Sequence, residues 1–292
     1  MFKQITLSIA AIALLASCSV KEDRSQCPFT APVTVRVGDF SMCQEDFPST
    51  KAAQSLSDYT AVKSLTLAFY KSDGTESFKH TQVRDDAETY TTFGEFSCDL
   101  LMGSYTMVVV AYAGSSPFTL SSPTSAVCTD TRLQDTFVAT QAVNVTTTDA
   151  LNLSATLSRV VSRLGVISTD NRPANATKLR MTFTKGGRDF SPSTSLSTAN
   201  TGFANTITFV ESVGSTTSSA SFLFLGSDEL VQDVTLEVLD DDDNVLKSVT
   251  VEDVPFKRNK TSVLRDSLFT ASSSESFLIE SAWLEAYPTT DF

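Results

Sequence analysis

The chain has 292 residues, a formal net charge of −12 at pH 7 and a single histidine. This acidic balance argues against nucleic acid as a partner, because the phosphate backbone binds surfaces rich in Lys and Arg. The length is near the size at which one hydrophobic core gives way to two, so we expect two domains.

Residues 1–17 have the order of features found in a signal peptide. Lys3 supplies the positive charge, residues 5–15 form an apolar stretch too short to cross a bilayer, and small residues precede Cys18. The junction Leu15-Ala16-Ser17-Cys18 resembles the lipobox of bacterial lipoproteins. That resemblance implies cleavage before Cys18 and its lipidation, with acyl chains such as palmitate. An ordinary secretory signal followed by a chance cysteine is the alternative.

Residues 18–30 are interpreted as a lipidated tether. The polar run Ser19-Val20-Lys21-Glu22-Asp23-Arg24 cannot build a core and suits a solvated linker. It resembles the Lys-acidic-acidic export signals of some Gram-negative surface lipoproteins, which implies a cell-surface position on the outer membrane. A charged linker without export meaning fits the residues equally well.

Period-two alternation predicts β-strands in a first domain, residues 31–148. Val33, Val35 and Val37 share one face of a strand, and residues 71–75 supply a turn between two further strands. A continuous apolar run at residues 105–112 predicts a central strand covered on both faces. The other predicted strands are residues 62–70, 78–83, 93–100 and 137–145.

A second domain, residues 149–275, is predicted to begin after the polar stretch 146–150. Its predicted strands are residues 179–184, 205–210, 220–225, 234–239, 246–251 and 262–269. The spacing of Leu157, Val160, Val161 and Leu164 predicts one short helix, although a strand also fits. Each half has the size of a β-sandwich, so we predict an all-β fold. Residues 276–292 form either the last strand of their own domain or a tail added to another subunit's sheet.

No sequence motif of nucleophilic, zinc or nucleotide chemistry occurs, so we expect no catalytic residue, cofactor or metal site. His80 is predicted to face solvent on a hairpin arm. The run Asp240-Asp241-Asp242-Asp243 reads as a solvated turn rather than a calcium site. The basic run at residues 256–260 reads as a polar connection between strands.

Four further cysteines, Cys27, Cys43, Cys98 and Cys128, form no Cys-x-x-Cys pair. Zinc is therefore not expected. In an oxidising compartment, an even number allows two disulfides with three possible connectivities, which the sequence does not rank. Buried free thiols are the alternative.

The run Cys18-Ser19-Val20-Lys21-Glu22-Asp23-Arg24-Ser25-Gln26-Cys27-Pro28 resembles the start of the FimB-type minor fimbrial subunits, the lipoprotein anchors of type V pili. Residues 157–164 and 254–261 are similar to stretches of the wider fimbrillin superfamily. The resemblance implies two tandem transthyretin-like β-sandwiches and no catalytic residue. It also implies a role in attaching a fimbrial shaft to the outer membrane and limiting its length, with shaft or accessory pilins bound by strand exchange.

Two other functions compete with this hypothesis. A surface glycan-binding lipoprotein or a fimbrial tip adhesin needs an exposed aromatic platform, because sugars stack on aromatic faces. The single tryptophan, Trp283, lies in the C-terminal tail. An enzyme needs carboxylates gathered in one pocket, which the predicted turns do not provide.

Overall fold

The computed structural model describes residues 29–41, 54–56, 59–270 and 278–280. In the N-terminal half the strands are β1 (Thr30–Ser41), β2 (Gln54–Ser55), β3 (Ser64–Lys71), β4 (Glu76–Val83), β5 (Glu95–Leu101), β6 (Gly103–Tyr112), β7 (Thr119–Ser122), β8 (Ser125–Val127), β9 (Thr136–Val145) and β10 (Leu151–Arg159). In the C-terminal half they are β11 (Ser162–Ser168), β12 (Lys178–Phe183), β13 (Phe190–Ser191), β14 (Leu196–Ser197), β15 (Phe203–Thr208), β16 (Ser218–Leu223), β17 (Glu229–Leu239), β18 (Val245–Lys257), β19 (Thr261–Asp266) and β20 (Leu278–Glu280). Within the described residues the helical element is a single 3-10 turn, Ala87–Thr89. The predicted all-β class is therefore confirmed.

The first domain is a β-sandwich. Strands β4, β3, β6 and β9 form one layer, and β10, β1 and β5 form the other. The layers are joined where β9 and β10 pair, at Val138 with Ser158 and at Phe137 with Arg159. Alternate side chains of both layers fill the space between them, as the period-two pattern of the sequence predicts.

Strand β6 is covered on both of its faces, which confirms the prediction made from its continuous apolar run. Met107 and Val109 point into the sandwich, whereas Val108 and Val110 point outward into a second cluster, the outer cluster. The outer cluster contains Phe118 near β7 together with two phenylalanines of the C-terminal half, Phe190 and Phe224.

The second domain is also a sandwich of two four-stranded sheets. One sheet has the order β16, β11, β19, β20 and the other has the order β15, β12, β17, β18. Between them lies an apolar core that includes Leu164, Met181, Leu236 and Phe256. The two sandwiches follow one another in the chain, so the tandem arrangement expected from the sequence is present.

The short helix predicted at residues 157–164 is wrong, because this stretch is the end of β10 and the start of β11. Leu157 and Leu164 each point into the core of their own sandwich. Between them, Val160 and Val161 are both buried in the outer cluster. Where two alternating strands meet at a buried valine pair, their apolar residues thus have the spacing that is typical of a helix. The β-branched side chains of the valines favour the strand.

The change from one domain to the next lies at this valine pair. Strand β10 pairs in parallel with β1 from Val33 and Leu151 onward, so it belongs to the first sandwich. The polar stretch at residues 146–150 connects two strands of that same sandwich. We propose that the domain boundary lies at Val160 and Val161 rather than near residue 148.

A small four-stranded sheet joins the two domains and has no counterpart among the elements predicted from the sequence. Its order is β14, β13, β8, β7, with Phe190 of the second domain paired with Ala126 of the first. The strands have only two to four residues each, too short for a periodic pattern to be recognised in the sequence.

Asp170 holds the segment that directly follows β19. Its carboxylate accepts hydrogen bonds from the backbone N–H groups of Leu268, Phe269 and Thr270 at 2.7, 2.9 and 2.7 Å. Partial burial alone would raise the pKa of this carboxyl, but these hydrogen bonds favour the charged form and hold the pKa below its ordinary value. The ionised side chain therefore stabilises the segment that follows β19.

We expect Asp170→Asn to lower the free energy of unfolding at pH 7 by about 1–3 kcal/mol, because three backbone N–H donors lose a charged acceptor. A carboxyl with a lowered folded-state pKa contributes stability above its unfolded pKa, about 3.9, and loses that contribution as the pH falls further. The difference between the Asn variant and the wild type should therefore shrink at pH 3. Urea unfolding at both pH values measures it.

The matched control is Asp85→Asn, a change at an exposed aspartate whose ion pair with Lys63 is long, at 3.9 Å. It should alter stability little at either pH. An Asp170 effect of equal size at pH 7 and pH 3 would contradict the assignment.

Candidate functional site

Two of the cysteines singled out in the sequence lie within the described residues. Cys18, Cys27 and Cys43 lie outside the described residues. Cys98, on β5, and Cys128, after β8, are free thiols that pack against different clusters, the first-domain core and the outer cluster. Burial, with a smaller effect of neighbouring Asp99, raises the pKa of Cys98 to about 11. The predicted disulfides stay a prediction.

His80 and the aspartate run at residues 240–243 contact nearby groups of the chain. His80 is exposed on β4, as predicted, and its Nε2 lies 2.7 Å from the carbonyl oxygen of Thr89. The Asp240 carboxylate accepts N–H bonds from Asp242 and Asn244 within the turn between β17 and β18. Lys178 pairs with Asp243 at 2.8 Å. Among the described residues no group of three or more His, Cys, Asp or Glu side chains could hold a metal ion.

The basic run before β19 is a polar connection, as predicted. Lys257 pairs with Glu229 and Arg258 with Asp228, both at 2.6 Å. These partners neutralise both cations locally. None of the described segments forms a helix with the length and apolar character needed to span a membrane.

The first domain presents two strand edges that face each other. Strand β4 pairs with β3, and β5 pairs with β1; in the described part of the chain neither has a second neighbouring strand. The buried Gln82 links them at one end, because its amide nitrogen donates to the carbonyl oxygen of Glu95 and its amide oxygen accepts from the N–H of Gly94, each at 2.7 Å. Beyond this link a groove of about 400 Å³ opens beside Phe78 and Tyr90.

The second domain has an edge that its own C-terminal segment covers. Strand β20 pairs antiparallel with β19, and its register places Glu280 opposite Val263 and Leu278 opposite Arg265. The pairing covers three of the six residues of β19. Residues 278–280 therefore lie in their own sheet, and the rest of the segment 276–292 lies outside the described residues. An edge strand exposes unpaired backbone groups that an incoming strand can satisfy.

A buried charged network holds the joint between the domains. Arg159, the last residue of β10, donates through Nε and Nη2 to the two carboxylate oxygens of Asp135, each at 2.9 Å. The hydroxyl of Tyr59 donates to the same carboxylate at 2.7 Å. From the second domain, Asn259 accepts a bond from Arg159 at 3.3 Å, and its backbone N–H donates to the carbonyl oxygen of Val161 at 2.9 Å.

Burial and the charge of Asp135 together set the pKa values of this network. The side chains of Arg159 and Asp135 are 15% and 7% exposed. Burial alone would lower the pKa of Arg159, but the Asp135 carboxylate outweighs it and raises that pKa. Burial, followed by the charge of Asp135, raises the pKa of Tyr59, so its hydroxyl stays a hydrogen-bond donor. No sequence pattern points to this network, because its members lie far apart in the chain.

The family model that matches residues 39–289 carries the description "Family of unknown function (DUF6562)", and the chain belongs to this family. Among curated proteins, no relative matches the sequence. The matching family is not defined by a fimbrial function, so the FimB-type resemblance stays a proposal.

Several solved structures are similar to this chain at low sequence identity. The fimbrial anchor protein Mfa2 from Porphyromonas gingivalis has 13% identity over 86% of this chain and 95% of its own, with a TM-score of 0.48. A proposed adhesin from Bacteroides ovatus has 10% identity, coverages of 82% and 88%, and a TM-score of 0.49. Proposed polysaccharide-binding proteins (DUF1812) from Bacteroides thetaiotaomicron have 11% identity, coverages of 89% and 99%, and a TM-score of 0.49. With TM-scores below 0.5, these likenesses carry no argument about function.

We expect Asp135→Ala to destabilise the protein by about 3–5 kcal/mol, because it leaves the buried guanidinium of Arg159 without its counter-ion. The control is Glu95→Ala, which removes the partner of Arg36 in a pair whose side chains are 37% and 65% exposed. Exposed pairs are worth about 0–1 kcal/mol. Urea unfolding of both variants measures the difference, and equal small losses would show that the network is not needed for stability.

Proposed function

We propose that this protein is a lipid-anchored fimbrial subunit that attaches a fimbrial shaft to the outer membrane and limits its length. The observation that carries the proposal is the run from Cys18 to Pro28, which resembles the start of fimbrial anchor lipoproteins and stands directly before two tandem β-sandwiches. Acyl chains at Cys18 supply the membrane attachment, since more than one chain gives firm anchoring. The folded part then supplies the surface that binds a pilin.

The strand edges support strand exchange as the means of binding. In this mode an extended segment adds to an open sheet edge, and main-chain hydrogen bonds provide the affinity. Within the described residues, β20 pairs with three of the six residues of β19, and a pilin strand that paired along all six would make more hydrogen bonds to β19 than these three residues do. We propose that the C-terminal segment leaves β19 during assembly and is replaced by, or donated to, a pilin.

The proposal is tested by purifying the tagged, lipid-anchored protein from its own bacterium and identifying its partners by mass spectrometry. We expect a fimbrillin that resists dissociation in detergent and is released on heating. Recovery of the protein alone, or with components of glycan import, would overturn the fimbrial assignment in favour of a glycan-binding lipoprotein.

We expect Cys18→Ala to remove the protein from the outer-membrane fraction, because the substitution abolishes the lipid attachment site. Fimbriae should then be released into the medium. Cell fractionation and the mass of the N-terminal peptide measure both effects. Cys98→Ala is the matched control and should leave the protein in the membrane. A Cys18→Ala protein that stays in the outer-membrane fraction as the wild type does would contradict lipid anchoring.

A reversible covalent link between β19 and β20 tests strand exchange separately. In Arg265→Cys/Leu278→Cys, an opposed pair of the two strands becomes a disulfide under oxidising conditions. We expect the oxidised form to lose the heat-sensitive complex with the pilin and to regain it on reduction, because a linked β20 cannot leave the edge.

The matched control is Thr235→Cys/Thr250→Cys, which links an opposed pair within the hairpin of β17 and β18. It should not affect complex formation in either redox state. Equal complex formation by oxidised and reduced Arg265→Cys/Leu278→Cys would rule out release of β20, while leaving the lipid anchor untouched.

A further inference from the structure

Two exposed apolar side chains lie together at the end of the first domain where the tether enters. Phe29, the first described residue, is 70% exposed, and Met102, in the turn between β5 and β6, is 48% exposed. The backbone N–H of Met102 donates to the carbonyl oxygen of Phe29 at 3.2 Å. The neighbouring residues Thr30 and Leu101 are paired across β1 and β5. The sheet therefore holds the two side chains close to each other.

This end of the sandwich is opposite to the domain joint. Strand β10 begins beside Val33, near the start of β1, and ends at Arg159 in the joint. Strand β6 likewise starts at Gly103, directly after Met102, and runs towards the joint. The chain passes into the second domain at the far end of these strands, so we refer to the end that carries Phe29 and Met102 as the tether pole.

The length of the tether keeps the tether pole near the lipid. Phe29 follows Cys18 by 29 − 18 = 11 residues. A fully extended chain of that length spans at most about 40 Å, and a solvated chain spans less. Among the described residues, the other exposed large apolar side chains belong to the second domain, as Val210 does at 86%, or lie beside the domain joint, as Val127 of β8 does. The apolar pair on the first domain is thus the one that the lipid anchor holds close to a bilayer.

We propose that the tether pole rests on the bilayer, with Phe29 and Met102 in the headgroup region and the second domain directed away from the membrane. The proposal rests on lipidation of Cys18. An aromatic ring and a thioether side chain suit the boundary between headgroups and acyl chains, about 5–10 Å deep, where monotopic proteins bury their apolar residues. The exposed charges near this pole include Lys71, Asp73, Asp99 and Asp149, which are mostly anionic and therefore suit zwitterionic rather than anionic headgroups.

We expect this contact to set the orientation of the first domain on the bilayer rather than the strength with which the protein binds the membrane. Acyl chains at Cys18 hold the protein on the membrane whether or not the pole touches it. Two inserted side chains add a second point of contact and restrict how the first domain tilts. Substituting them should therefore change the position of the domain relative to the bilayer without releasing the protein, and the experiment has to measure depth.

Tryptophan fluorescence measures depth directly. The single native tryptophan is removed by Trp283→Phe, and Phe29→Trp is introduced into the lipidated, full-length protein in phosphatidylcholine vesicles. Lipids brominated in the upper acyl chain quench only tryptophans that reach them. We expect about twofold loss of fluorescence for Phe29→Trp, and a comparable loss for Met102→Trp, at the interfacial depth given above.

The matched control is Val210→Trp in the same background, at an exposed second-domain position that should not be quenched. Flotation of the vesicles reports lipidation independently. Protein that does not float would show that the anchor proposal has failed. Protein that floats while Phe29→Trp and Met102→Trp are quenched no more than Val210→Trp would overturn the tether-pole contact and leave the anchor in place.

Discussion

The fold depends on the burial of both faces of strands β3 and β6 and of the start of β9. One face closes the first-domain sandwich, and the other face is covered by Phe118 together with Phe190 and Phe224 from the second domain. The rings of Phe190 and Phe224 stack with centroids 4.4 Å apart, and that of Phe118 meets Phe190 edge-on at 5.4 Å. Each fully buried ring contributes about 1.5–3 kcal/mol. The domains therefore share a core instead of being joined by a linker.

Several other features follow from this shared core. The short strands β7, β8, β13 and β14 lie over it and pair across the domain boundary. The network of Arg159 and Asp135 forms where the same layer ends, and it ties β10 to the turn that holds Asn259. A buried ion pair adds geometric definition to an apolar contact surface, which by itself is not directional. Under the proposed function, the two sandwiches then act as one rigid spacer between lipid and shaft.

A strand can be predicted from the sequence where apolar residues alternate with polar ones, or where apolar residues run without a break because both faces are buried. Strands β1, β3 and β6 are recognisable because one or both faces are apolar over many residues. The helix prediction at residues 157–164 is wrong because two strands meet at the buried pair Val160 and Val161, which only the shared core explains. The pairing of Phe190 with Ala126 depends on contacts between residues far apart in the chain, and local pattern carries no information about them.

Some features of the candidate site could be predicted from the sequence, and others required the structure. The proposed lipid attachment at Cys18 rests on consecutive residues of the sequence and needs no tertiary structure. The open edges of β4 and β5 could not be inferred, because an edge is defined by the absence of a neighbouring strand, and the cover of β19 by β20 depends on residues far apart in the chain. The exposure of the Phe29 side chain could not be predicted either, because Phe29 directly precedes a strand whose pattern does not distinguish it from a core residue.

Under the proposed function, the parallel pairing of β1 with β10 has a mechanical consequence. The tether enters β1 at Thr30, while β10 leaves the sandwich at the opposite end, at Arg159. Tension between lipid and filament would therefore pull the two strands along their lengths in opposite directions. In this shear geometry the hydrogen bonds between them share the load and must break together, whereas a hairpin pulled from its open end yields one bond at a time. A protein with the proposed function would therefore load the first sandwich in its mechanically strong direction.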